Sequence, residues 1–186
     1  MDDRSTGDKR SANPPPLDEE TIAFAGRVFQ AARAGDAAML EELLRMGLPP
    51  NMRNDKGDTL LMLAAYHGQI DAVRVLLAHR ADPEVLNDRG QTPLAGAAFK
   101  GAADVVALLL DHGAAVDGAG PDGRTALMTA AMFNRLEILE LLLARGASAT
   151  TRDARGHTAE EAARAMGAVE AAELLAARAR EGGASA

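Results

Sequence analysis

Residues 90–114 read GQTPLAGAAFKGAADVVALLLDHGA and contain two short helical patterns in succession. Thr92 is suited to cap the first helix, and Pro93 is suited to its first position, where the missing N–H would have had no partner. Gly101 ends the first pattern and Gly113 ends the second, because glycine adopts the left-handed conformation at a helix C-terminus without steric cost. The segment therefore predicts a hairpin of two helices.

The same pattern recurs along the chain at a constant spacing, without an insertion. Its most regular marks are a Gly-x-Thr tripeptide, beginning at Gly57, Gly90, Gly123 and Gly156, and a leucine pair, beginning at Leu43, Leu76, Leu109 and Leu142. A period of about 33 residues is typical of a repeat array, in which each hairpin buries its apolar face against its neighbours. We expect five units, at about residues 18–53, 54–86, 87–119, 120–152 and 153–180.

The segments between the hairpins have the composition of turns. Residues 114–124, for example, include Gly118, Gly120, Pro121 and Gly123, so we expect each connection to double back as an extended, β-hairpin-like finger. The polar, proline-interrupted residues 1–17 are predicted to be a disordered tail, and residues 181–186 a flexible one.

The two end units differ from the inner ones. Asp18 is suited to cap a longer first helix. The apolar stripe of that helix is predicted to comprise Ile22, Ala25, Phe29 and Ala32. The fifth unit carries Glu160 and Arg164 where inner units are apolar, so its outer face is expected to meet water, as the last unit of an array must.

These residues resemble the ankyrin repeat. The matching positions in the third unit are Gly90-Gln91-Thr92-Pro93-Leu94, Ala97-Ala98, Gly101, Val105-Val106, Leu109-Leu110 and Gly113-Ala114, and the resemblance covers about 160 of the 186 residues. It implies an all-α solenoid of about five helix–turn–helix units joined by β-hairpin-like fingers. Met62, Ala95 and Met128 stand where the family has a histidine that bonds to the capping threonine, so the capping network is expected to differ.

Composition excludes several classes of function. The net charge of −7 and the pI of about 5.1 oppose binding to phosphate backbones, so we expect no nucleic-acid partner. The chain has no cysteine and no apolar stretch long enough for a membrane span, and its N-terminus lacks the apolar core of an export signal. We therefore expect a cytoplasmic protein without a membrane partner, and the excess of alanine and arginine favours a bacterial source.

No residue pattern indicates catalysis. His79 and His112 occupy equivalent positions in consecutive units near the ends of second helices, where an imidazole complements the helix dipole. His67 and His157 occupy other repeat positions, and no histidine, aspartate and glutamate have the spacing of a metal site. We predict that the chain is not an enzyme and has no catalytic residues, metal or cofactor.

The resemblance implies where a partner would bind, because ankyrin proteins contact partners through a concave groove lined by the finger tips and by the residues after the alanine pair. The corresponding positions are Arg33, Arg53, Lys56, Tyr66, His67, Arg89, Phe99, Lys100, Arg124, Met132, Phe133 and Arg155. Aromatic and methionine side chains are common interface anchors, and successive anchors are expected about 10 Å apart, the spacing of packed helices. The alternative is that they shield neighbouring helices while the charges are merely solvated.

The resemblance thus implies a monomeric module that binds another protein through the groove and finger tips, as an adaptor or regulator. The mixed but locally basic finger tips suit a partner with an acidic, apolar-centred patch. A stoichiometric inhibitor of a partner enzyme would use the same groove and is the alternative; a cryptic catalyst, which would need a polar cluster there, is the less favoured one.

Overall fold

The computed structural model describes residues 18–183, with side chains as far as residue 180, and this part of the chain forms ten helices. They are α1 (Glu19–Ala34), α2 (Ala37–Arg45), α3 (Leu60–His67), α4 (Ile70–Ala78), α5 (Pro93–Lys100), α6 (Ala103–Asp111), α7 (Ala126–Met132), α8 (Leu136–Ala144), α9 (Ala159–Ala165) and α10 (Val169–Gly183). The predicted all-helical repeat fold is confirmed. The tail predicted at residues 1–17 lies outside the described residues.

The helices form two layers. The first helices of the pairs (α1, α3, α5, α7 and α9) pack side by side in one layer, and the second helices (α2, α4, α6, α8 and α10) form the other. The first-helix layer is the more closely packed, because its contacts are made largely by alanine methyl groups. Ala65, Ala98 and Ala131, one residue of the alanine pair in each inner unit, are fully buried.

Each later first helix is capped by a threonine. The hydroxyls of Thr59, Thr92, Thr125 and Thr158 each accept a hydrogen bond from the backbone N–H three residues on, at distances of 3.0 to 3.3 Å. The missing histidine therefore leaves the threonine cap intact. In the fifth unit the Thr158 N–H also donates to Glu161 Oε2 at 2.8 Å, which completes the reciprocal capping box.

Four finger loops connect the pairs, at residues 46–59, 79–92, 112–125 and 145–158. In the first, second and fourth loops, an Asn or Asp side chain accepts two backbone N–H groups of the turn: Asn54, Asn87 and Asp153. The described residues contain only one isolated β-bridge, between Arg53 and Thr59. The fingers are thus tight turns stabilised by side chains more than by paired strands.

The third finger differs from the others at its tip. Gly120 occupies the position of Asn54, Asn87 and Asp153, and a Cβ there would collide with the Gly90 carbonyl oxygen of the neighbouring finger. The next residue, Pro121, has no N–H. At the equivalent positions, the backbone N–H of Asp88 donates to Lys56 O at 3.1 Å, and the backbone N–H of Ala154 donates to Asp122 O at 2.8 Å. The backbone bond that joins neighbouring tips is therefore missing between the second and third fingers.

The two ends of the array depart from the sequence predictions in small ways. Asp18 caps α1 as predicted, accepting the Thr21 N–H at 2.7 Å, and Phe29 and Ala32 are buried. Ile22, however, is 57% exposed, because α1 has 16 residues and projects beyond α2 and α3, which have nine and eight. At the other end, α10 runs to Gly183 rather than stopping at residue 180, since alanine, arginine and glutamate are strong helix formers.

Candidate functional site

Three aromatic rings from consecutive first helices are in contact. Tyr66 at the end of α3 stacks on Phe99 at the end of α5, with ring centroids 5.4 Å apart and an interplanar angle of 12°. Phe99 in turn meets Phe133, which follows α7, edge to face at 4.6 Å and 81°. The predicted spacing of about 10 Å between anchors is wrong for the rings: the helix axes are separated by roughly that distance, but the long side chains lean together. We call this row of three rings the aromatic ladder.

The aromatic ladder is only partly covered. Tyr66 and Phe99 are half-buried, whereas Phe133 is 39% exposed. Phe99 lies between the other two rings and is the most enclosed by aromatic neighbours. The ladder therefore contributes to packing between repeats and also presents an accessible aromatic surface.

A cleft of about 320 Å³ lies beside Phe99 and Phe133, and we call it the apolar cleft. Its floor is formed on α5 and α7 by Ala95, Phe99, Thr129, Met132 and Phe133. Its rim is formed by the second and third fingers, with Arg89, Gly90, Gln91, Asp122 and Arg124. Arg124 Nε is 4.0 Å from Asp122 Oδ2, so Arg89 is the one rim charge without an opposite charge beside it in this cleft.

A second cleft of about 190 Å³ lies beside Tyr66, between the first and second fingers, and we call it the basic cleft. It is lined by Arg33, Lys56, Asp58, Met62, Leu63, Tyr66, His67 and Arg89. Arg89 borders both clefts. The one carboxylate, Asp58, is buried and accepts hydrogen bonds from Asn87 Nδ2 at 2.8 Å and Asn54 Nδ2 at 3.4 Å.

The pKa of His67 reflects the positive charge in and around the basic cleft. Partial burial lowers the pKa of His67 below its ordinary value, and the positive charges of Lys100 and Arg33 lower it further. The imidazole is therefore neutral near pH 7. A nearby anion would favour its protonated form.

Nine of the twelve residues predicted for binding line one of the two clefts: Arg33, Lys56, Tyr66, His67, Arg89, Phe99, Arg124, Met132 and Phe133. Lys100 is exposed next to His67, and Arg155 is exposed at the fourth finger, outside both clefts. Arg53 has a different role. Its guanidinium donates to Gly57 O, Leu86 O and Asp88 Oδ1 at 3.0 to 3.1 Å, so it ties the first finger to the second and we leave it out of the site.

Sequence reasoning missed several lining residues that follow a simple rule. Met62, Ala95 and Thr129 lie four residues before Tyr66, Phe99 and Phe133. Residues i and i+4 share a helix face, so the residue one turn before each ring also faces a cleft. This spacing was the signal that would have identified them.

The remaining polar candidates have structural roles. His79 Nε2 lies 3.0 Å from Glu41 Oε2 of the preceding unit, and His112 Nδ1 lies 2.9 Å from the Leu108 carbonyl oxygen. Among the described residues, no group of three histidines, aspartates or glutamates is placed to hold a metal ion. No described helix is long and apolar enough to cross a membrane.

Comparison with known proteins agrees with the repeat geometry. A family model of ankyrin repeats in three copies matches residues 28–119, and a model of ankyrin repeats in many copies matches residues 109–161. A putative ankyrin repeat protein of Pseudomonas aeruginosa is 57% identical over 61 residues, which are 33% of this chain and 36% of that protein.

Two eukaryotic relatives match a similar length of the chain. Ankyrin repeat domain-containing protein 29 of Homo sapiens is 46% identical over 31% of this chain and 20% of its own length. The potassium channel AKT2/3 of Arabidopsis thaliana is 41% identical over 30% of this chain and 7% of its own length. Each match thus spans only a minor part of the relative. With the two family models covering residues 28–161 between them and the paired helices repeating at a constant period, the chain belongs to the ankyrin-repeat family.

Proposed function

We propose that the chain binds a partner protein through the surface formed by the aromatic ladder, the two clefts and the finger tips, and acts as an adaptor or regulator. Ankyrin repeats are protein–protein interaction modules. The observation that carries the proposal is the aromatic ladder, since three large rings side by side, one of them 39% exposed, form an apolar surface of the kind that anchors interfaces.

The rigidity of the surface supports the same proposal. The rings sit at the ends of capped helices, and the fingers are held by side-chain hydrogen bonds within each turn. A surface whose helices and finger backbones are already ordered loses little backbone entropy when a partner binds. Rigid presentation of this kind suits recognition by shape and charge.

We propose further that the chain is not an enzyme and acts in the cytoplasm as a monomer. The four histidines have no catalytic partner pattern in the sequence, and His79 and His112 are engaged in contacts between helices or within one. A net charge of −7 supports a protein partner over a nucleic acid.

A capture experiment tests the proposal. Immobilised wild-type chain, a Phe133→Ser variant and an Arg74→Ser control are incubated with lysate from the source cell, and the captured proteins are quantified. Arg74 is exposed on α4, in the other helix layer. We expect at least one protein to be retained by wild type and the control but lost from Phe133→Ser, with melting temperatures of the three chains recorded alongside.

Identical captured sets from all three chains would contradict binding at this surface. Titrating the chain into an activity assay of the captured partner then separates an adaptor from an inhibitor, because only an inhibitor lowers that activity in a 1:1 ratio.

A further inference from the structure

The basic cleft contains cations that form no ion pair with any of the described residues. On the second-helix and end surfaces, several arginines are paired with carboxylates, as in Arg45–Glu41, Arg145–Asp111 and Arg164–Glu160 at 2.7 to 2.8 Å. The side chains of Arg33, Lys56 and Arg89 have no ion pair or hydrogen bond with any described residue, and all three line one cleft. This is notable in a chain of net charge −7.

The one carboxylate that lines the basic cleft makes no ion pair with these cations. Asp58 is the one acidic residue lining the basic cleft, and it directs its oxygens to the amides of Asn87 and Asn54. Three cations therefore face a cleft whose lining holds a single carboxylate, already bonded to two amides, so the cleft keeps an excess of positive charge. The lowered pKa of His67, caused by burial and by Lys100 and Arg33, reflects the same excess of positive charge.

The apolar cleft follows the basic cleft along the array. The two are one repeat apart and share Arg89, so an extended chain lying along the fingers would pass from one to the other. Neighbouring first helices are about 10 Å apart, a distance that roughly three residues span in an extended strand. At about 320 Å³, the apolar cleft lies within the range of ligand-pocket volumes, roughly 300–1,000 Å³, so it has room for a large apolar side chain.

We propose that the partner presents an extended acidic segment whose apolar anchor enters the apolar cleft while carboxylates about three residues away lie in the basic cleft. The anchor packs against Phe99, Met132 and Phe133, and the carboxylates pair with Arg33, Lys56 and Arg89. This assignment rests on the proposed function, since it names the chemistry of the partner that the same surface takes.

The charges outside the clefts favour a polypeptide over a nucleic acid. A nucleic acid presents a phosphate at every nucleotide, so it needs a continuous basic track, whereas three cations converge here and the chain as a whole is acidic. The neighbouring cleft adds only Arg124, which lies 4.0 Å from Asp122 above an apolar floor, so it is a poor site for a second phosphate. A short acidic stretch beside one apolar residue uses both clefts.

Selection from a random library of 12-residue peptides, carried out on the full chain, tests the proposal. We expect selected peptides to share an aromatic or large aliphatic residue with Asp or Glu two to four residues away. Synthetic peptides from the selection, labelled with fluorescein, should bind at least tenfold more weakly when those acidic residues are replaced by Asn or Gln, and at least tenfold more weakly to an Arg89→Gln variant. An Arg74→Gln variant, which removes the same charge in the other layer, should bind as wild type does.

The Arg89→Gln variant should fold, because the Arg89 side chain makes no bond to the rest of the described chain, and equal thermal melts will show this. Selected peptides that keep the apolar anchor but show no acidic preference would overturn the present inference and leave the proposed function standing. Failure to select any peptide, together with a capture experiment in which Phe133→Ser loses nothing, would overturn both. Tighter binding of a 20-nucleotide single-stranded RNA than of the selected peptides, lost in Arg89→Gln, would overturn the acidic-peptide assignment.

Discussion

Phe99 and Phe133 belong to consecutive repeats, and their rings meet edge to face with centroids 4.6 Å apart. The contact joins the third repeat to the fourth at the accessible surface. A proposed anchor for a partner is therefore also a link between repeats, and its truncation is expected to affect folding as well as binding.

The middle ring of the ladder should contribute most to stability. Phe99→Ala removes two ring contacts and half-buried apolar area, so we expect it to lower the free energy of unfolding by about 2 kcal/mol. Phe133→Ala, at the exposed end, should cost about 1 kcal/mol. Urea unfolding of both variants and of the double variant measures the coupling between the rings, expected at about 0.5–1.5 kcal/mol. Strictly additive effects would mean that the ring contact contributes nothing.

Within residues 18–183, two non-glycine residues have positive φ, and replacing each by glycine should have opposite effects on stability. Arg80 (φ 63°) ends α4 at a position where other units have glycine, and its side chain makes no bond within the described chain. Arg80→Gly should therefore leave stability unchanged or raise it by up to about 1 kcal/mol, because relief of the steric cost exceeds the added unfolded-state entropy. The urea midpoint measures the effect, and a clear decrease would contradict it.

Asn134 (φ 54°) is the matched counterpart. Its Oδ1 accepts the Ala171 N–H at 3.0 Å and its Nδ2 donates to Glu170 Oε2 at 2.8 Å, so the side chain ties the loop after α7 to the start of α10. Asn134→Gly should lower stability by about 1 kcal/mol, since these hydrogen bonds outweigh the relief of strain. A gain like that of Arg80→Gly would show that the two bonds are not stabilising.

Acid should weaken the fifth repeat through its capping box. The Thr158 N–H bonded to Glu161 lowers the pKa of that carboxyl, and the charge of Arg152 lowers it further. A carboxyl whose pKa is lower in the folded state stabilises the fold above its unfolded pKa of about 4.3 and loses that contribution as the pH falls through the folded value. The Glu161→Gln variant should therefore have a lower melting temperature than wild type at pH 7 and the same melting temperature at pH 2. An equal loss of melting temperature at pH 7 and at pH 2 would show that the charge of Glu161 is not the source of the stabilisation.

Binding of an acidic segment should strengthen as the pH falls. His67 faces Lys100 and Arg33 and lies against Tyr66, and its pKa in the free chain is lowered by burial and by those cations. The free fold therefore loses stability as the pH falls below about 6.5, where the unfolded imidazole binds a proton more readily. Bound carboxylates raise the pKa of His67, so affinity for the selected peptides should rise roughly three- to tenfold from pH 7.5 to 5.5. His67→Gln should abolish that dependence.

Removal of the last repeat should destabilise the array. Truncation after Arg152 deletes α9 and α10, which pack on α7 and α8, and exposes part of the apolar surface around Leu127 and Leu139, now fully buried. We expect a lower melting temperature or aggregation, because the polar last unit shields the fourth. Deletion of residues 1–17, which leaves every described helix in place, should change neither. An equal loss from both deletions would contradict the prediction that residues 1–17 are a disordered tail.

The fold could be predicted from the sequence, because the repeat period, the helix caps and the turns are set by residues that lie close together in the chain. Thr59 and Gly68, for example, begin and end α3 as their positions predict. Contacts between side chains of different repeats could not be predicted from the sequence in the same way. The lean of Phe99 towards Phe133 depends on side-chain conformation, and two of the three partners of Arg53 lie in the next finger, 33 and 35 residues away. The basic cleft could not be predicted either, because its prediction requires knowing which cations remain unpaired after folding.

Pro121, at the tip of the third finger, affects how easily the apolar cleft can widen to admit a larger side chain of the proposed partner. Widening the basic cleft separates the first two tips and strains the bond from the Asp88 N–H to Lys56 O, whereas widening the apolar cleft moves the second and third tips, where Pro121 has no such bond to lose. Larger anchors therefore meet less resistance at the apolar cleft than larger acidic groups meet at the basic one. Substitutions at the anchor position of a partner would be tolerated more easily during evolution than substitutions at its acidic positions.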